Sequence, residues 1–165
     1  MTELRQRATE SDVVVFATPL YVDNVSGLMK DFMDRMIPAA DPHFAQDENG
    51  ECRHFHRPDV RLPRKIVAIS NAGFPEQSHF QVLRLLFRRV ARNYDAELVG
   101  EIYRGGGELL SIDNVFVKAL LHGYKKLLRK AGRELVENGR ISEGTSCELE
   151  KAIVPEAQYI SGSNK

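Results

Sequence analysis

The chain has 165 residues, 42% of them hydrophobic and 28% charged, and its 23 Lys and Arg balance 23 Asp and Glu. That length suits a single domain, residues 1–165, with a core of its own. A formal net charge of zero excludes a generic binder of nucleic acid or anionic membrane, whose affinity rests on excess cationic side chains, so neither partner is expected.

Cys52 and Cys147 are far apart and belong to no CxxC pair, so two reduced thiols are expected rather than a disulfide framework. The start, MTELRQRATESD, is charged and lacks an apolar signal region, and no apolar run reaches bilayer length. A cytoplasmic location is the expectation.

Residues 2–10 read as a polar helix end. The run Val13–Ala17 is continuous, apolar and rich in β-branched residues, as in a strand buried on both faces. An irregular stretch follows, TPLYVDNVSG at 18–27, and then a helix from about Gly27 to Met36. Leu28, Phe32 and Met36 fall at helical spacing on it, with Met29 and Met33 beside them, and Pro38 ends it. Residues 38–64 hold Pro38, Pro42, Pro58, Pro63 and the turn signal DENG at 47–50. So long a loop is expected to be functional or to contain a small hairpin, and is placed near the active site.

The second strand is Ile66–Ser70, broken by NAGFPE at 71–76. The next helix carries Phe80, Leu83, Phe87, Val90 and Tyr94 on one face, and Arg84, Arg88 and Arg92 on another, read as solvated. A third strand spans about 98–103 and closes with Gly105-Gly106-Gly107, read as a glycine turn. The last long helix runs from an N-cap at about Asp113 to Asn138-Gly139, with Val115, Phe116, Ala119, Tyr124, Leu127, Leu128, Ala131 and Leu135 as its apolar stripe. The extension 141–165 mixes a short helical stretch with a polar end, 161–165, expected to fray. Alternation of buried-type strands with helices implies an α/β fold with right-handed parallel crossovers.

In such sheets ligands bind beyond the carboxyl ends of the strands. Two strand-end loops there have unusual composition. In the first, Pro19 stiffens the exit, Tyr21 offers a flat face, and Asn24 to Gly27 lead into a helix N-terminus. In the second, Gly73 permits unusual backbone angles and Phe74-Pro75 can wall a pocket. Composition alone also fits two ordinary strand-to-helix turns, with Asn24 or Ser26 as a cap. Cys52-Arg53-His54-Phe55-His56, with His43, lacks the ligand spacing of a zinc site and is read as a polar loop, not a metal site.

The segment SDVVVFATPLYVDNVSGLMKDFMDR resembles the strand, loop and helix shared by multimeric flavodoxins, iron–sulfur flavoproteins and NADPH-dependent FMN reductases: an apolar strand, Ser or Thr, Pro, x, Tyr, a Gly/Asn/Ser-rich loop, and a helix ending Asp-Arg. Here these are Thr18, Pro19, Tyr21, Asn24, Ser26, Gly27, Asp34 and Arg35. SNAGFPE is similar to the family's next strand-end loop. The resemblance implies a flavodoxin-like, doubly wound, three-layer αβα domain with about three recognisable strands. It implies FMN as cofactor and NAD(P)H as co-substrate, with hydride passing to the flavin and then to a small-molecule acceptor. The flavin ring would meet Thr18, Pro19, Tyr21, Asn24, Val25, Ser26 and Gly27 on one side, and Asn71, Ala72, Gly73 and Phe74 on the other. No catalytic acid or base is implied.

The family's first strand and Ser/Thr-rich phosphate loop have no counterpart in the ten residues ahead of the first strand. An N-terminally truncated domain is therefore expected, with weakened FMN affinity. Its strand at 12–17 would show a bare apolar edge, inviting homo-oligomers. The alternative is a non-catalytic flavodoxin-like interaction module.

Overall fold

The computed structural model describes residues 2–57, 59–60 and 62–164, the side chains of residues 2, 5 and 9 aside; Pro58 and Lys165, named above, lie outside the described residues. Three parallel strands form the sheet, β1 (Val14–Pro19), β4 (Lys65–Asn71) and β5 (Glu97–Arg104), in the order β1-β4-β5. Val14 pairs with Ile66 and runs in register to Pro19 against Asn71. β4 pairs with β5 from Lys65 against Glu97 to Asn71 against Arg104, with an irregularity after Ile66.

Because successive strand residues face opposite sides, β4 feeds two cores. Ile66 and Ala68 join Phe16, Phe80, Leu83, Phe87 and Tyr103 on the face covered by α2 (Gly27–Asp34) and α3 (Gln81–Asn93). Val67 joins Val99, Ile102, Tyr124, Ala131 and Leu149 on the face covered by α4 (Val115–Asn138) and α5 (Glu143–Glu150). Two-sided burial is why β4 is an apolar run. The expectation of two-sided burial fails for β1, whose Phe16 and Thr18 are buried while Val15 and Ala17 on the other face are exposed. The expected αβα layering is present.

The helices follow their caps more closely than their apolar spacing suggests. Ser26 caps α2, its Oγ accepting from the Met29 amide at 3.4 Å, and Met29, Phe32 and Met33 pack on the core. Leu28, expected on that stripe, is 86% exposed. Its phase is wrong because α2 begins at Gly27 and presents the next residue inward. Asn114, not Asp113, caps α4, its Oδ1 accepting from the Phe116 amide at 2.8 Å. Val115 and Phe116 of the expected stripe are exposed, whereas its Tyr124 and Ala131 are buried, together with Leu121, and its Leu127 and Leu135 pack on the core. Gly139, at φ 71°, closes the helix in the left-handed conformation that favours glycine.

The expected loop at 38–64 is largely a hairpin, β2 (Ala40–Gln46) antiparallel to β3 (Cys52–His56). It sits away from the strand-end loops. Arg53 reaches Asp95 at 2.7 Å, His56 Nε2 lies 2.9 Å from the Asn93 carbonyl oxygen, and Arg92 donates to Asp47 at 2.7 and 2.9 Å. These partners mark the C-terminal end of α3, just before β5 begins. The segment, expected near the active site, feeds the start of β4, at the opposite end of the sheet from the strand-end loops. The same contacts correct the reading of a solvated arginine face, since Arg92 is spent on the hairpin and Arg84 pairs with Glu150 at 2.8 Å over the Tyr103 ring. His43 sits on Asp41, at 2.6 Å.

The tail is more ordered than expected. Residues 143–150 form α5 and Glu156–Ser163 form α6. Ser142 starts α5, and Glu134 of α4 accepts from the Ser142 amide at 2.9 Å and from Thr145 Oγ1 at 2.8 Å. Those donors hold the Glu134 carboxyl down at about 2, below its ordinary 4.5. A carboxyl whose folded pKa lies below its unfolded value stabilises fully above about 4.5, and the effect fades as pH falls toward about 2. Glu134→Gln should therefore lower the melting temperature at pH 6, with the gap to wild type narrowing at pH 3. Thermal melts of both proteins at the two pH values check this.

Candidate functional site

The two strand-end loops lie side by side because β1 and β4 are adjacent and parallel. The ladder continues past the strands, with the Leu20 amide donating to the Asn71 carbonyl at 2.8 Å. Thr18 organises the first loop: its buried Oγ1 accepts from the Ser26 amide at 2.9 Å and donates to the Pro19 carbonyl at 3.0 Å. Tyr21 and Asn24 exchange backbone hydrogen bonds at 3.0 and 3.1 Å. Between them Val22 and Asp23 stand at φ 49° and 57°. A β-branched valine in that region is a strained choice, and such strain collects where a loop is held for function.

The second loop is laced to the end of β5. The Ala72 amide donates to the Arg104 carbonyl at 3.0 Å, Gly106 to the Phe74 carbonyl at 2.9 Å, and Gly107 to the Ala72 carbonyl at 2.8 Å. A side chain at Gly105 would meet the Pro75 carbonyl oxygen at 2.2 Å. Gly105-Gly106-Gly107 is therefore the packing surface of the second loop rather than a simple turn. Behind it, Tyr159 of α6 donates its hydroxyl to the Gly73 carbonyl at 2.7 Å. Tyr159→Phe should loosen the loop at a cost of about 1 kcal/mol, read by urea melts.

Of the residues expected at the site, Thr18, Val25 and Ala72 are buried and shape the loops from beneath. Asn24 Oδ1 accepts from the Val25 amide at 2.8 Å, and Ser26 is occupied by its cap. Tyr21 and Phe74 are 63% and 66% exposed, and nothing lies within 4 Å of a side chain built at Gly27 or Gly73. Two exposed aromatic faces beside two glycines with open space above them suit a flat ring system. The backbone N–H groups of Gly27 and Gly73 have no partner among the described residues.

Several contributors were not anticipated. Tyr159 lies 86 positions from Gly73, so no local pattern announces it. Arg104 is 3% exposed and donates Nη2 to the Glu150 and Lys151 carbonyls, both at 2.9 Å, fixing the end of α5. Its Nε and Nη1 have no hydrogen-bond partner among the described residues, its guanidinium lies over the Tyr124 ring at 5.1 Å, and burial lowers its pKa. His79 lies 3.5 Å from Glu76 and 3.9 Å from Asp23, and its ring stacks on Phe74 at 5.0 Å.

Both loops fall within residues 1–84, just over half of the chain, which match the model of the NADPH-dependent FMN reductases. The chain belongs to the NADPH-dependent FMN reductase family. A relative, the iron-sulfur flavoprotein of Archaeoglobus fulgidus, is 34% identical over 79 residues, 47% of this chain and 29% of that protein. The chain thus spans less than a third of that relative's length. Among solved structures, an NADH:FMN oxidoreductase (EmoB, apo form) is similar at TM-score 0.43 and 17% identity, over 73% of this chain and 53% of its own. The azoreductase AzrA is similar at TM-score 0.45 and 16% identity, over 71% and 55%. A thermophilic tryptophan halogenase, from Streptomycin violaceusniger, is similar at 0.47 and 15%, over 99% and 73%. The family is one of flavin oxidoreductases, and membership accords with the parallel αβα layering. No described helix is long and apolar enough to cross a membrane.

Proposed function

We propose that the chain binds the isoalloxazine ring of FMN between its two strand-end loops and serves an NAD(P)H-dependent oxidoreductase. The observation that carries this is the pairing of exposed Tyr21 and Phe74 with open space over Gly27 and Gly73, on adjacent carboxyl ends of a parallel sheet. When bound, FMN supplies two-electron chemistry between NAD(P)H and a quinone or another small acceptor. The chain's part is to orient the ring with Tyr21 and Phe74, offer the Gly27 and Gly73 amides to its electron-rich edge, and exclude water with Pro19, Leu20 and Pro75.

Tyr21→Ala should weaken FMN binding about tenfold, the worth of one aromatic stacking contact. The activity test is NADPH oxidation by the purified chain with added FMN and menadione. Flavin- and menadione-dependent turnover is expected; saturable FMN binding with no turnover would overturn the oxidoreductase part.

A non-catalytic interaction module is the second reading, and one observation favours it. β1 ends the sheet among the described residues, with Val15 48% exposed on that edge. A homo-oligomer formed along β1 is expected on size-exclusion, and Val15→Lys should shift it toward monomer.

A further inference from the structure

We infer that the outward face of α4 docks on an anionic lipid bilayer, with the apolar turn at its start entering the headgroup layer. The inference stands apart from the flavin reading. From Asn114 to Arg133 the sequence places six Lys or Arg and no Asp or Glu. They are Lys118, Lys125, Lys126, Arg129, Lys130 and Arg133, all exposed. At 3.6 residues per turn the six fall within a sector of about 140°, along about 22 Å of helix. Leu121, Tyr124 and Ala131 fall outside it and are buried. Lys118 pairs with Asp113, and Lys130 with Glu134 at 3.5 Å. The other four have no ion-pair or hydrogen-bond partner among the described residues. The whole chain is neutral, so the rest of it carries an excess of six negative charges. A total of zero hides one strongly cationic face.

The start of α4 adds a second surface. Val115 and Phe116 are 79% and 81% exposed, and Leu110, Ile112 and Leu120 close by in the chain are exposed too. Large apolar side chains gathered in water mark a contact surface. By the same helical spacing Val115 shares the cationic sector and Phe116 borders it. The helix runs back along the sheet, since the Gly139 carbonyl at its far end accepts from Lys65 at the start of β4, at 3.3 Å. Its apolar start therefore stands at the end of the sheet that carries the two site loops.

Composition separates the occupants that a cationic face can take. Protein interfaces are enriched in Arg and depleted in Lys, whereas four of these six cations are Lys. Nucleic acid draws on cations for its phosphates but gives Ile112, Val115 and Leu120 nothing apolar to enter. An anionic bilayer uses both features: the cations meet its negative surface potential, and the apolar turn enters the boundary between headgroups and acyl chains.

Cosedimentation of the full chain with lipid vesicles tests this. Phosphatidylcholine vesicles with about a third phosphatidylserine should bind it at least about tenfold more tightly than phosphatidylcholine alone, and ~0.5 M salt should abolish the difference. Each Lys or Arg near such a surface strengthens binding about fivefold, so Lys126→Ser, Arg129→Ser and Arg133→Ser together should weaken it about a hundredfold. Phe116→Ser should weaken it about tenfold by removing the inserted ring. Both variants should keep the wild-type melting temperature, because none of the four side chains is buried or paired. A control with Lys30, Arg35 and Arg88, exposed cations elsewhere, replaced by serine should bind like wild type. Equal binding to both kinds of vesicle, or a stably folded triple variant of α4 within twofold of wild type, overturns the inference. Binding to double-stranded DNA, or self-association without vesicles, that the α4 triple variant abolishes overturns it too, since the face would then have another occupant.

Discussion

Replacing Gly105 by valine should lower the melting temperature by about 10 °C and abolish saturable FMN binding. The added Cβ would sit 2.2 Å from the Pro75 carbonyl oxygen and 2.7 Å from its carbon, both backbone atoms that no rotamer change can move. The second loop must withdraw, and the amide donations of Gly106 to Phe74 and of Gly107 to Ala72 are lost or stretched. Overpacking of this kind costs about 3 kcal/mol, and in a domain of this size each kcal/mol is worth about 3 °C. Differential scanning calorimetry with a parallel FMN titration reads both effects. A variant as stable as wild type would mean that the two loops are not packed as described.

Gly73→Val should leave stability nearly unchanged yet do the same to the ligand. No atom lies within 4 Å of a side chain built there, and Gly73 is not among the residues with positive φ. The fold should keep its melting temperature to within about 2 °C, as surface changes cost about 0.5 kcal/mol or less. FMN affinity should nevertheless fall at least tenfold, because the isopropyl group fills the space assigned to the ring. Gly27→Val should behave alike from the other loop. Wild-type affinity in both variants would remove the ring from this cleft.

The two glycines differ only in what surrounds them, and that difference marks what the sequence can disclose. The strands were legible because β4 and the middle of β5 are buried on both faces, which favours apolar runs, and because β1 is an apolar run although its second face, at Val15 and Ala17, is exposed. The site loops were legible because proline, tyrosine, asparagine and glycine cluster where a strand ends, and because that cluster matches a family pattern. Helical phase was less legible: Leu28, Val115 and Phe116 have the composition of core residues but sit exposed on the first turns of their helices. The small hairpin was one of two readings of 38–64, but its strands were not placed, because Arg53, His54 and His56 are not strand-like residues. It is held by polar contacts with the end of α3 and Asp95 just beyond it, whose partners stand about 40 positions away. Tyr159, Arg104 and the packing role of Gly105 were hidden for the same reason, since each acts across the fold.

The most direct measurement follows backbone amide shifts of the ¹⁵N-labelled chain during an FMN titration. A cleft of about 1570 Å³ lies at the other end of the sheet between Glu10–Val13, His56, Tyr94 and Val136, so the location of binding is itself at stake. The account expects saturable shifts concentrated at residues 18–27 and 71–76, with smaller ones at His79 and Tyr159. Shifts confined to that opposite cleft, or no saturable shifts at all, would contradict it.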